Sequence, residues 1–98
     1  MKPEVSEQQT APKIVPGLTL YYSPFCGYCL RVFSALQVMG LEIALKNVRQ
    51  DEATATELRQ EGGSAMVPCL RIEEGSTIRW MYESADIIEY LRQYEPKT

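Results

Sequence analysis

Two cysteines separated by two residues stand where a strand-like run, residues 18–22, gives way to a helix-like run, residues 30–39. The pair is Cys26 and Cys29, and Cys26 comes first, directly before the expected helix start. Backbone N–H groups at a helix start lack partners within the helix, and the helix dipole is positive there, so both favour a thiolate. The pattern therefore predicts a βα unit with a nucleophilic Cys26 at its tip.

The spacing of the two cysteines gives them different roles. Cys29 falls on the apolar stripe of the predicted helix, whereas Cys26 precedes that stripe at an exposed position. One helical turn separates the sulfur atoms, which is close enough for a disulfide. We therefore expect Cys26 to attack and Cys29 to resolve the resulting mixed disulfide. Zinc is the alternative for such a pair, but three cysteines and no histidine leave a four-ligand Cys/His site incomplete.

Length, charge and cysteine number narrow the class of protein. The 98 residues are enough for one small domain, and a net charge of -3 argues against a nucleic-acid or anionic-membrane partner. An odd number of cysteines is not typical of a secreted disulfide scaffold, so we expect a cytoplasmic protein. Residues 1–16 are polar and contain three prolines. We expect a flexible tail over 1–16 and a folded domain over 17–98.

Hydrophobic periodicity predicts the order β-α-β-α-β-β-α. Strands are expected at residues 18–22, 41–48, 67–72 and 77–81, and helices at 30–39, after the N-cap Asp51 to residue 61, and from the N-cap Ser84 to residue 94. The first βαβ unit requires a right-handed crossover between parallel strands. The predicted fold class is therefore α/β, with a four-stranded mixed sheet covered by helices on both faces.

Val67 and Pro68 form a second candidate site. A cis proline facing the thiols would expose the backbone of Val67 to an extended peptide, which could pair with it like an added strand. The alternative is a trans proline that opens an edge strand. Cys69 follows directly and is expected to be a small buried hydrophobe, with a regulatory thiol as the alternative.

Taken together, these motifs resemble the glutaredoxin family of the thioredoxin-like superfamily over about residues 17–94. Cys26-Gly27-Tyr28-Cys29 is similar to the glutaredoxin active site, which most often has proline at the place of Gly27. Met66-Val67-Pro68 is similar to the family's Thr-Val-Pro segment with its cis proline. Glu83-Ser84 is similar to the signature of glutathione transferase N-terminal domains.

The resemblance implies a glutathione-dependent thiol–disulfide oxidoreductase, with glutathione as co-substrate and with disulfide-containing or glutathionylated proteins as partners. In the transferase-like family the Glu-Ser pair binds the γ-glutamyl end of glutathione, whereas the alternative is that Ser84 only caps its helix and Glu83 is solvated. The implied glutathione-binding residues are Tyr28, Met66, Val67, Pro68, Glu83 and Ser84. A transferase-like glutathione-binding module is a second possibility.

Two departures from the glutaredoxin pattern carry expectations of their own. Many members have a lysine where this chain has Ser23. We therefore expect the contact between a positively charged side chain and glutathione to be weaker, or to be supplied by Lys13, Arg49 or Gln50. A small residue at the place of Gly27 is associated in the family with a bridging 2Fe-2S cluster. The resemblance implies that Cys26 of two subunits and the thiolates of two glutathione molecules would hold this cluster. We expect a monomer, and a dimer with Cys26 as metal ligand only if such a cluster forms.

Overall fold

The computed structural model of the protein describes residues 12–96. Within this range the order of elements is β-α-β-α-β-β-α, as predicted. The elements are β1 Lys13–Tyr22, α1 Gly27–Met39, β2 Leu41–Asn47, α2 Glu52–Gly62, β3 Cys69–Glu74, β4 Thr77–Met81 and α3 Ser84–Leu91, followed by a 3₁₀ turn, Arg92–Tyr94. None of these helices combines the length and the apolar composition needed to cross a membrane.

The four strands form one mixed sheet in the order β2-β1-β3-β4. β1 runs parallel to β2, and β3 is antiparallel to both β1 and β4. Leu20 and Leu70 point to the face covered by α1 and α3, while Tyr21 and Cys69 point to the face where Leu58 of α2 packs. The predicted α/β class, with helices on both faces of the sheet, is thus confirmed.

The first strand begins earlier than predicted. Lys13 donates its backbone N–H to the carbonyl of Gly40 at 2.8 Å, and Val15 is 5% exposed. The register with β2 shifts within this stretch, where Pro16 has no N–H to donate and Gly17 adopts a φ of +84°. Polar composition suggested a tail, but the irregular register accommodates these residues in the sheet. The boundary at residue 17 is therefore wrong for residues 13–16, and residues 1–11 of the expected tail lie outside the described residues.

Helix α2 follows its sequence signals closely. The side chain of Asp51 accepts a hydrogen bond from the N–H of Ala53 at 3.0 Å, which is the predicted N-cap interaction. Gly63 ends the helix with a φ of +91°, a conformation that glycine adopts without steric cost. Gly62 is the last helical residue, and a short loop leads from Gly63 to Val67 and Pro68.

Two boundaries near the candidate site differ from expectation. α1 begins at Gly27 rather than at residue 30, because its first two residues, Gly27 and Tyr28, are exposed and so lie outside the apolar stripe. β3 begins at Cys69 rather than at residue 67. The first shift adds a turn to the start of α1, and the second leaves Val67 and Pro68 in the loop before β3.

Candidate functional site

A tight turn at the end of β1 places Cys26 at the start of α1. Ser23 accepts a hydrogen bond from the N–H of Cys26 through its carbonyl, and from the N–H of Phe25 through its hydroxyl, each at 3.2 Å. Cys26 is the N-cap residue of α1, half-buried and with extended backbone angles. The sulfur that the sequence assigned as nucleophile therefore lies at the positive end of a helix.

Cys29 lies one turn further along α1 and is fully buried, with 0% exposure. Burial raises the pKa of the Cys29 thiol to about 11, and the neighbouring Cys26 adds to this rise, while a hydrogen bond with the backbone of Ser23 opposes it. Cys29 therefore holds its proton at neutral pH. The two sulfurs differ as the sequence predicted, one half-buried at the helix tip and one buried beneath it.

The segment before β3 contacts Cys26, the predicted nucleophile. The thiol of Cys26 donates to the carbonyl oxygen of Val67, with 3.7 Å between Sγ and O. The Val67–Pro68 peptide bond is cis. Two motifs that are 41 positions apart in the chain thus meet at one sulfur atom.

Beside this contact lies an open groove of about 260 Å³. Its lining residues are Tyr28, Met66, Val67, Pro68, Tyr82, Glu83 and Ser84. The structure therefore brings together all six residues that the sequence assigned to glutathione. Two larger grooves, one at the irregular part of β1 and one between α1 and α3, are not lined by Val67, the residue that contacts the Cys26 sulfur.

Tyr82 is the lining residue that sequence reasoning missed. It directly precedes Glu83 and Ser84, so its position beside that motif was the available signal. Its hydroxyl donates to the carbonyl of Ser64 at 3.0 Å, across the groove's edge. Tyr82 thus connects the two segments that form the walls of the groove.

The start of α3 differs from the prediction in a way that affects the site. Glu83 is the N-cap residue, and no side chain caps the helix; the N–H of Ile87 bonds to the Glu83 carbonyl at 2.8 Å. Ser84 is the first helical residue, so the expectation that Ser84 caps the helix is wrong. Because the extended backbone of Glu83 already takes the cap position, the Ser84 hydroxyl is not used in capping and lies on the groove.

The three candidates for the missing cation fall in different places. The guanidinium carbon of Arg49 lies 5.2 Å from the ring centroid of Phe25, the residue next to Cys26. Lys13 instead donates to the carbonyl of Tyr94 at 3.1 Å, at the opposite end of β1 from the cysteines. Gln50 shares the turn of Arg49. Arg49 is therefore the charged candidate that contacts a chain neighbour of Cys26.

Gly27 occupies the first position of α1, and an added Cβ there would meet no atom within 4 Å. Within residues 12–96, no group of three His, Cys, Asp or Glu residues could hold a metal ion. The 2Fe-2S cluster considered above would draw its ligands from two subunits and two glutathione molecules, so this finding does not test it. Cluster binding stays a prediction, which the absorbance of protein reconstituted anaerobically with glutathione would check.

Gly27→Ala is expected to stabilise the protein. The site has open space and ordinary φ, so alanine removes conformational freedom from the unfolded chain and stabilises the fold by about 0.4–1 kcal/mol. Gly40→Ala is the matched control, because it also has open space but a φ of +71°. Thermal unfolding should show a higher Tm for the first variant and a lower Tm for the second; equal shifts would contradict this account of Gly27.

Comparison with known proteins places the chain in a family. Residues 20–98 match the family model described as "Glutathione S-transferase, N-terminal domain". A Mycobacterium tuberculosis protein named "Putative glutaredoxin", found in strains CDC 1551 and H37Rv, is 32% identical over 66 residues, which is 66% of this chain and 79% of the relative. The chain therefore belongs to the glutaredoxin-like proteins of the thioredoxin superfamily.

Solved structures show the same fold at low sequence identity. A mutant of the thioredoxin-like protein BC3987 has a TM-score of 0.65 at 22% identity, covering 81% of this chain and 94% of that one. The buckwheat glutaredoxin–glutathione complex has a TM-score of 0.60 at 23% identity, over 81% and 71%. Maleylacetoacetate isomerase from Anaeromyxobacter dehalogenans, with bound dicarboxyethyl glutathione, has a TM-score of 0.60 at 24% identity, over 82% of this chain and 37% of the isomerase.

Proposed function

We propose that this chain is a glutathione-dependent thiol–disulfide oxidoreductase in which Cys26 attacks protein disulfides or glutathione mixed disulfides. The observation that carries the proposal is the 3.7 Å contact between the Cys26 sulfur and the Val67 carbonyl, at the edge of the 260 Å³ groove. The glutaredoxin relatives support thiol oxidoreductase chemistry at the level of the family. The substrates are glutathionylated or disulfide-bonded proteins, and the place of action is the reducing cytoplasm.

The first step transfers glutathione to the enzyme. The Cys26 thiolate attacks the glutathione sulfur of a mixed disulfide, and the old S–S bond breaks as the new one forms. The substrate leaves as a thiolate and takes a proton from solvent. Cys26 is then joined to glutathione, and the substrate cysteine is a free thiol, so one mixed disulfide has been exchanged for another.

The second step regenerates Cys26. The thiolate of another glutathione attacks the bound glutathione sulfur, which releases glutathione disulfide and the Cys26 thiolate. Because Cys26 is the N-cap residue of α1, the positive end of the helix dipole favours its departure as a thiolate. The start of α1 therefore favours the Cys26 thiolate both when it attacks and when it leaves.

Cys29 offers a second way to release glutathione. Its thiolate would attack the Cys26 sulfur, form the Cys26–Cys29 disulfide and expel glutathione, after which two glutathione molecules would reduce the disulfide. Since burial raises the pKa of Cys29 to about 11, the fraction ionised at pH 7 is on the order of 10⁻⁴. The low ionised fraction of Cys29 therefore slows this route at neutral pH and favours release by glutathione in solution, while Cys29 is needed for disulfides between two protein cysteines.

The groove supplies complementary groups for the rest of glutathione. The Glu83 carboxylate meets the γ-glutamyl ammonium, and the Ser84 hydroxyl with the first amides of α3 receives the adjacent carboxylate. The backbone of Val67 pairs with the cysteinyl segment, as in the addition of a strand. The thiol of glutathione then points to Cys26.

Reduction of a glutathionylated peptide by glutathione is the direct test of the proposed function. We expect turnover by the wild type and by Cys29→Ser, because the route through free glutathione does not use Cys29. Reduction of an intramolecular peptide disulfide should be lost in Cys29→Ser. If the wild type fails to accelerate reduction of either peptide, the proposed function is wrong.

Arg49→Gln is expected to weaken the binding of glutathione. The guanidinium stacks on Phe25 and takes over the glycyl carboxylate contact that a lysine at position 23 makes in many relatives. An exposed charge pair of this kind should change KM for the glutathionylated peptide by about two- to fivefold. Lys13→Gln is the matched control and should leave KM unchanged. An effect of Lys13→Gln equal to that of Arg49→Gln would mean that only the net charge matters.

A further inference from the structure

Tyr82 lies on the two-residue connection between β4 and α3, directly before the Glu83–Ser84 motif. Its phenol is half-buried, and its hydroxyl donates to the carbonyl of Ser64 at 3.0 Å. Ser64 belongs to the loop between α2 and β3, which carries Val67 on the opposite wall of the groove. A single side chain thus joins the two walls.

The ring of Tyr82 is closely confined by α2. A Cβ added at Gly62, the last residue of that helix, would lie 2.5 Å from the Tyr82 hydroxyl oxygen and 2.9 Å from Cε3 of Trp80. Contacts this short do not occur in folded proteins, so only glycine allows the helix to approach the two rings this closely. The hydroxyl of Tyr82 is therefore held in place by packing as well as by its hydrogen bond.

Hydrogen bonds continue from Ser64 towards the nucleophile. The Ser64 hydroxyl accepts from the N–H of Met66 at 3.3 Å, and the carbonyl of the next residue, Val67, accepts from the Cys26 thiol at 3.7 Å. The loop from Ser64 to Val67 is thus tied to Tyr82 at one end and to Cys26 at the other. Burial raises the pKa of Tyr82, so its hydroxyl stays protonated and remains a donor.

We propose that Tyr82 is a positioning residue, which sets the width of the groove by fixing the Ser64–Val67 loop relative to Glu83 and Ser84. The inference deepens the proposed function and rests on it, since glutathione is the ligand whose two ends these walls hold. Cys26 has its own support in the turn at Ser23 and in α1. Loss of the Tyr82 hydroxyl therefore weakens the binding of glutathione more than it slows the chemical step.

Tyr82→Phe tests the inference because it removes the hydroxyl and keeps the ring beside Gly62. We expect KM for a glutathionylated peptide to rise by about three- to tenfold with kcat within about twofold of wild type, which is the size of one lost hydrogen bond. Tyr90→Phe is the matched control. Its hydroxyl donates to Glu74 at 3.3 Å, at the end of β3 away from the cysteines. This control should leave KM and kcat unchanged.

Amide hydrogen exchange gives a second measurement that does not depend on turnover. The N–H groups of Met66 and Val67 should exchange faster in Tyr82→Phe than in the wild type, and at the wild-type rate in Tyr90→Phe. Unchanged exchange together with an unchanged KM would overturn the inference, as would equal effects of both variants. If the wild type lacks activity with glutathione, the proposed function fails, and the exchange of these two amides still decides whether Tyr82 holds the loop.

Discussion

Replacing Cys26 by serine is expected to abolish the reduction of glutathionylated peptides, with a loss in kcat/KM of at least about a thousandfold. A serine hydroxyl is not ionised at neutral pH and forms no bond equivalent to a disulfide, so both the attack and the departure of this residue fail. The chain offers no replacement, since Cys29 and Cys69 are each 0% exposed. Activity should therefore depend on a single sulfur.

Cys69→Ala serves as the control for the Cys26→Ser experiment. Cys69 is buried on the α2 face of the sheet beside Tyr21 and Leu58, and burial raises its pKa to about 11, so it stays a protonated thiol. The alternative considered for it, a regulatory thiol, receives no support from this position. We expect kcat/KM of Cys69→Ala within about threefold of wild type, because only one small buried group is lost. Comparable losses in Cys26→Ser and Cys69→Ala would contradict the assignment of the nucleophile.

The second large effect that we expect is on the rate at which Cys29 resolves the mixed disulfide between Cys26 and glutathione. This rate should depend strongly on pH. Because the folded protein raises the pKa of this thiol to about 11, the ionised fraction grows about tenfold with each pH unit below that value. Burial, the main cause of the shift, persists when Cys26 is joined to glutathione. The rate at which Cys29 expels glutathione should therefore rise between about pH 7 and pH 10 by more than the roughly thirtyfold expected of a thiol with an ordinary pKa of about 8.5.

A single-turnover experiment without free glutathione measures this rate. Protein carrying glutathione on Cys26 is incubated at each pH, acid-quenched and separated into the mixed disulfide and the Cys26–Cys29 disulfide. The rate should still be rising at about pH 9, whereas a thiol with its ordinary pKa of about 8.5 would give a plateau there. In Cys29→Ser the adduct should persist at every pH, which excludes release by hydrolysis.

Local signals in the sequence were sufficient for much of the fold. A cap such as Asp51 and a terminator such as Gly63 act within a few residues, so α2 was predicted to within one residue at either end. The apolar stripe of α1 is also a local signal, and it correctly predicted that Cys29 is buried. The short apolar run at residues 18–22 placed the core of β1, but its start at Lys13 depends on pairing with β2, which a local pattern does not report.

The candidate site was predicted where motifs are contiguous and missed where long-range contacts decide. Glu83 and Ser84 were recognised as a pair, and they do lie on the groove. The role of Tyr82 depends on Gly62 and Ser64, which are about twenty positions away in the chain. Such contacts arise only when the sheet brings the α2–β3 loop against the end of β4.

Ser23 is another residue whose role in the site was not evident from its sequence motif. From sequence it was the place of a missing lysine, but it is 8% exposed and bonded to both Phe25 and Cys26. A lysine introduced there would lose the hydroxyl that accepts from the N–H of Phe25 and would bring a charge towards the interior, which is costly. Ser23→Lys would therefore disturb the turn that holds the nucleophile, and Arg49→Gln is the better test of the cationic contact.

The central claim is that Cys26 forms the mixed disulfide with glutathione, and mapping that adduct tests it most directly. Cys29→Ser protein is treated with glutathione disulfide at neutral pH, digested and analysed by mass spectrometry. The account predicts one glutathione per chain, attached to Cys26 and released by added glutathione. An unmodified Cys26, or an adduct found on Cys69 instead, would contradict it.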